Sequence, residues 1–138
     1  MRLFLDSSAL AKRYVEEPGS ERLEEILGAA SRLGLCVLVV PEVVSALRRR
    51  RRERTLTEAQ YGKAKNMLLE DVRDAEMVGV IDEVVAGAVI LLERFNLRAF
   101  DALHVAAAQA WSAELFVSAD ERQLQAAAAS GLVVERLG

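Results

Sequence analysis

The 138-residue chain holds one cysteine, one histidine, two prolines and eight glycines, and each scarcity excludes something. A lone Cys36 cannot close an internal disulfide, and its place inside an apolar run marks it as a buried, inert thiol suited to a reducing cytoplasm. A lone His104 excludes a two-histidine metal site within one chain and leaves a Ser-His-Asp triad poorly supported, so packing or hydrogen bonding on its own helix is its expected role. With so few turn residues, an all-β sandwich is disfavoured. No Gly-x-Gly-x-x-Gly follows a strand and no Gly-Lys-Ser/Thr loop occurs, which removes the fingerprints of dinucleotide and nucleoside triphosphate binding. Long hydrophobic runs are missing too. The longest, Leu33 to Pro41 and Val84 to Leu92, fall well short of the ~20 residues that cross a bilayer. Leu3-Phe4-Leu5 is cut off by Asp6 before it can resemble a signal peptide, so a soluble cytoplasmic protein is expected.

What is present is one domain's worth of ordinary globular composition, 52% hydrophobic and 28% charged, enough to bury a core without staples. The formal net charge of −3 is unevenly spread. The seven residues Arg48 to Arg54 carry six arginines and one glutamate, a net +5, so the rest of the chain sums to −8. An acidic protein with one dense basic segment can still meet phosphate locally.

Residues 2 to 5 read as a buried strand followed by a helix over Ala9 to Val15, with Asp6-Ser7-Ser8 as the polar cap between them. A second helix starts at Ser20. Leu35 to Val40, between Gly34 and Pro41, has the continuous β-branched character of a strand covered on both faces. Helices then follow over Glu42 to Arg54 and from Thr57-Glu58 to Asp74, the pair suited to a helical hairpin. Met77 to Ile81 reads as strand, Asp82 to Phe95 as helix, Asn96 to Arg98 as loop, and Asp101 to Ser112 as helix. Leu115 to Val117 is a strand, Asp120 to Ser130 a helix, and Leu132 to Glu135 a last strand. Strands alternating with helices predict an α/β fold, a mostly parallel sheet of about five strands with helices on both faces.

In such sheets ligands bind at the carboxyl ends of the strands. Asp6 follows the first strand, Glu42 the second and Asp120 the fourth, while Asp101 opens a helix near the same rim. Two carboxylates about 4 Å apart repel by roughly 4 kcal/mol at an effective dielectric near 20, so four of them converging there require compensation. A hard divalent cation, Mg²⁺ or Mn²⁺, suits all-oxygen ligands better than zinc. Capping of helix N-termini is the competing use for each acid taken singly. Along a helix, successive residues turn by about 100°, so Arg48 to Arg52 encircle the axis. RNA backbone contact, a solvated helix end or pairing with a partner are the roles open to them, and Lys12 and Arg13 are further phosphate-contact candidates. Leu47, Tyr61, Met67 and Leu68, on the hairpin, are apolar interface candidates if they are not core.

Four segments carry a resemblance: Asp6-Ser7-Ser8-Ala9-Leu10, Pro41-Glu42-Val43-Val44-Ser45-Ala46-Leu47, Leu97-Arg98-Ala99-Phe100-Asp101-Ala102-Leu103-His104 and Phe116-Val117-Ser118-Ala119-Asp120. In order and spacing they resemble the signature segments of PIN-domain ribonucleases, and among these the VapC-type toxins of toxin-antitoxin pairs. The resemblance implies a single PIN-like domain over residues 1–138, a three-layer sandwich. It also implies a Mg²⁺- or Mn²⁺-dependent endoribonuclease in which Asp6, Glu42, Asp101 and Asp120 form the catalytic and metal-binding set. Ser8 and Ser118 would support them, and Lys12, Arg13, Arg49, Arg50 and Arg51 would meet the RNA. Glu121-Arg122 after Asp120 departs from relatives that place another Asp or Asn there. A homodimer and a cognate antitoxin that covers the site are implied as partners. The rival from another class is a non-catalytic RNA- or protein-binding module on the same fold. An aspartyl-phosphate phosphatase is disfavoured because no second Asp stands two residues after Asp6.

Overall fold

The computed structural model describes residues 1–138. Five strands are present: β1 (Arg2–Leu5), β2 (Arg32–Cys36), β3 (Glu76–Val78), β4 (Leu115–Ser118) and β5 (Val134–Arg136). Seven helices connect them: α1 (Ser7–Ala11), α2 (Ser20–Ala29), α3 (Val39–Arg52), α4 (Glu58–Asp74), α5 (Asp82–Arg94), α6 (Ala99–Ala110) and α7 (Glu121–Ala129). All pairings are parallel, and the strand order is β3-β2-β1-β4-β5.

Alternation along the strands divides the core in two. Leu3, Leu5, Leu35 and Val117 point into a layer built with Leu10, Leu23, Val43, Leu47 and Leu68 from α1 to α4. Phe4, Cys36 and Phe116 point the other way, against Val84, Leu91, Ala102, Val105 and Leu124 from α5 to α7. The molecule is the expected α/β/α sandwich. No helix is long and apolar enough to cross a membrane.

Several boundaries differ from the sequence reading. The apolar run after Gly34 leaves the sheet at Cys36 and is helical from Val39, so Val39, Val40 and Pro41 belong to α3. An apolar run does not itself distinguish strand from helix, and Pro41 is tolerated in a first turn, where its missing N–H has no intrahelical partner to lose. Helix α1 stops at Ala11, four residues before Val15, and its end is carried by turns through Tyr14. Strand β3 is shorter than Met77 to Ile81 and β5 begins at Val134. Helix α6 starts two residues ahead of Asp101, which places that acid inside its first turn. Leu47 and Leu68 are fully buried, so two of the four hairpin interface candidates are core.

Candidate active site

Parallel strands bring their carboxyl ends to one edge, and the order β3-β2-β1-β4-β5 puts a switch point there. The chain leaves β1 toward β2 on one side and leaves β4 toward β5 on the other, opening a crevice between the two central strands. Asp6 follows β1 and Asp120 follows β4, so these two acids flank that crevice. The Asp6 amide donates to the Val117 carbonyl at 3.2 Å, which locks the two strand ends together.

Hydroxyls knit the crevice. Ser118 Oγ donates to Asp6 Oδ2 at 2.6 Å, and Ser8 Oγ lies 2.8 and 2.9 Å from the two Asp6 oxygens. The Asp6 carboxylate also accepts from the Ala9 amide at 2.9 Å and caps α1. Ser8 Oγ accepts from the Ala119 amide and Ser118 Oγ from the Asp120 amide, at 3.0 and 2.9 Å. Asp120 caps α7 through the amides of Arg122 and Gln123. The two acids that cap α1 and α7 are thus the two that flank the crevice, and the Ser8 and Ser118 hydroxyls tie them together. Burial pushes the Asp6 carboxyl up, and its hydrogen bonds from Ser118, Ala9 and Ser8 only partly oppose this.

Glu42, one turn into α3, is held from one side. Its Oε1 accepts from Ser7 Oγ at 2.8 Å and lies 2.5 Å from His104 Nε2, with the imidazole buried on α6. Pairing with a carboxylate oxygen makes Nε2 the donor, and Nδ1 faces the interior without a hydrogen-bond partner. Burial raises Glu42, but His104 and Ser7 together outweigh it and hold the carboxyl below its ordinary value. His104 thus hydrogen-bonds as anticipated, across to α3 instead of along its own helix.

Asp101 behaves oppositely. Burial, then the charges of Asp120 and Glu42, push its carboxyl up, while His104 and Arg98 pull weakly down. Asp101 and Asp120 line one pocket of about 470 Å³ with Asn96, Arg98, Glu121 and Arg122. Glu42 lines a neighbouring pocket with Pro41, Ser45, Ala46, Arg49 and Phe100. No three His, Cys, Asp or Glu side chains are grouped closely enough to hold one ion, so the single four-carboxylate cluster expected from sequence is instead a rim of two adjacent pockets over a buried Asp6. The physical reason is that Asp6 and Glu42 are each drawn onto neighbouring donors. An all-oxygen pair of acids under mutual repulsion still fits a Mg²⁺-like ion, which keeps several waters and takes only one or two carboxylates.

The basic residues are mostly spent. Lys12 and Arg50 both pair with Glu17, at 3.2 and 2.6 Å, and Arg48 and Arg51 both pair with Glu58, at 3.4 and 2.9 Å. Arg13 turns to Asp71 at 3.2 Å. Arg49 alone among Arg48 to Arg51 has no acidic partner.

The family model for the PIN domain matches residues 3–129. The chain belongs to the PIN-domain family. Its fold is shared with VapC20 of Mycobacterium tuberculosis, described as a sarcin-ricin loop cleaving toxin, at a TM-score of 0.71 and 16% identity over 97% of this chain and 98% of that one. VapBC2 of Rickettsia felis, bound to a DNA fragment from its promoter, gives 0.70 and 13% over 100% of both chains. DNA-bound VapBC of Salmonella typhimurium gives 0.71 and 11% over 99% and 98%. A comparison with curated proteins finds no match.

Three residues of this PIN domain's site escaped the sequence reading: Ser7, Gln123, and His104 in its role as the partner of Glu42. Gln123 donates through Nε2 to the Asp101 carbonyl at 3.1 Å and lies 3.1 Å from Ser118 Oγ, tying α6 to α7 behind the pocket. The Asp120-x-x-Gln123 spacing, a capping-box pattern, was the signal that could have found it.

Proposed function

We propose that this PIN domain is an endoribonuclease dependent on Mg²⁺ or Mn²⁺ and the toxin of a type II toxin-antitoxin pair. One observation carries the reading: Asp6 and Asp120 flank the sheet's switch point, Asp101 and Glu42 line the adjoining pockets, and burial and the charges of its acidic neighbours push Asp101 up. Asp101 and Asp120 would hold the cation, with Asp6 and Glu42 adding negative charge from behind and beside it. The chemistry such an ion supplies is an acidified water and positive charge for the leaving oxygen of a phosphodiester. Asp101, whose carboxyl is pushed up by burial and by the charges of Asp120 and Glu42, is the acid that gains most from a cation beside it. Ser118, Ser8 and Gln123 orient the acids, and Ser7 and His104 fix Glu42.

Purified protein is expected to cut labelled structured RNA with Mg²⁺ or Mn²⁺ and to stop in chelator. Asp101→Asn and Asp120→Asn should abolish the activity, and Ser118→Ala should lower it about 10- to 100-fold, as supporting shells do. Equal cleavage by wild type and Asp101→Asn would retire the nuclease. The non-catalytic binding module would take its place if RNA is bound and never cut.

A cognate antitoxin and a cytoplasmic setting belong to the same reading, supported by the VapBC complexes among the structural neighbours. So does a homodimer. Helix α5 and its cap residue expose Ile81, Val85, Val89, Ile90 and Leu92 around the outer side. Acids Asp82 and Glu83 stand at the start of the helix and Arg94 at its end. Two copies packed antiparallel through this helix would cover the apolar surface and set the acids of one against Arg94 of the other.

A further inference from the structure

Phe100 is the one aromatic side chain that the fold leaves broadly exposed, at 48%. Phe4, Trp111 and Phe116 pack together, Tyr14 donates to Asp71, and Arg48 covers Tyr61. Phe100 sits on the first turn of α6, one residue before Asp101, while Ala102, Val105 and Ala106 fill the core. Its ring helps line the pocket of about 280 Å³ formed with Pro41, Glu42, Ser45, Ala46 and Arg49. Arg49 lies two turns beyond Glu42 on the same face of α3 and is the unpaired cation among Arg48 to Arg51. It also reaches the adjoining pocket of about 460 Å³ with Ser8, Lys12 and Arg50. A free guanidinium and an open aromatic face, side by side at the edge of an acidic rim, match the two surfaces of a nucleotide: phosphate for the first, an unstacked base for the second.

We propose that Phe100 and Arg49 form a subsite for one unpaired nucleotide flanking the cleaved bond, with the base stacked on Phe100 and its phosphate on Arg49. The inference rests on the ribonuclease reading and deepens it, since it selects single-stranded or looped RNA over duplex. Because Phe100 directly precedes Asp101, a base seated there brings its backbone to the pocket of Asp101 and Asp120.

The test titrates labelled single-stranded RNA, and a duplex of the same sequence, onto protein carrying Asp101→Asn, which suppresses cleavage and removes one repelling charge. Adding Phe100→Ala should weaken single-strand binding about 5- to 100-fold, leave its salt dependence unchanged and leave duplex binding untouched, while Phe100→Trp restores affinity. Adding Arg49→Ala should lower the slope of affinity against salt by about one. A 2-aminopurine base in the RNA should be quenched by the background protein and by its Phe100→Trp form, and not by its Phe100→Ala form. If the background protein binds RNA and neither addition changes affinity, salt slope or quenching, the subsite is wrong and the nuclease reading stands. If the background protein binds no RNA while the wild type cuts it, the subsite is wrong; if the wild type cuts no RNA in Mg²⁺ or Mn²⁺ either, the nuclease reading falls as well.

Discussion

The acids of the rim are set against one another, and the consequence is clearest at Asp101. In the folded protein burial and the charges of Asp120 and Glu42 favour its protonated form; in the unfolded chain those neighbours are gone and it titrates near ~3.9. The folded state therefore binds this proton more tightly. The stability it contributes is full below about pH 4 and is lost as pH rises through the raised value. At neutral pH, ionised Asp101 works against folding. Asp101→Asn is accordingly expected to raise Tm by about 2 °C at pH 7 in chelator, with the gain shrinking toward pH 4. Added Mg²⁺ should stabilise the wild type and not the variant, as a thermal shift series at two pH values will show. Glu42 runs the other way: its lowered carboxyl gives stability above about pH 4.3 that fades as acid protonates it. The identities of the acids were legible in the sequence because each follows a strand or opens a helix. Their individual environments were not, because the donors on Glu42 come from Ser7 and His104, 35 and 62 residues away.

Among the elements, the strands and helices were readable from alternation and period wherever polar punctuation marks an end. The failure at Val39 to Pro41 comes from a segment where every residue is apolar and buried strand and buried helix look alike. Strand order was beyond reach, since nothing in the sequence says that β4 crosses to the far side of β1. The β2 to α6 packing shows a close fit of the same hidden kind. Gly34 lies under the Trp111 ring, where an added Cβ would stand 2.7 Å from the indole. That ring also meets Phe4 at a centroid distance of 5.9 Å and carries the Arg2 guanidinium 4.2 Å from its centroid. Gly34→Ala is expected to cost about 1–3 kcal/mol by overpacking. Trp111 is the only tryptophan, so its fluorescence reports the displaced ring while denaturant unfolding reports the loss.

For the whole molecule, the apolar face of α5 is the surface most at odds with a lone protomer, and composition alone gave no sign of it. Val89→Asp should leave the fold intact, because that side chain is exposed, and should convert a dimer to monomer in sedimentation at micromolar concentration. A wild type that sediments as a monomer at those concentrations would remove the homodimer. The central placing of β1 has an outcome for synthesis. Its N-terminal strand is completed on one side by β2 but on the other only by β4, and the Asp6 to Ser118 hydrogen bond spans 112 residues. Such distant pairing closes late, after the loop entropy of most of the chain has been met. A growing chain therefore has half a crevice, with no Asp120 across from Asp6, until β4 emerges and docks.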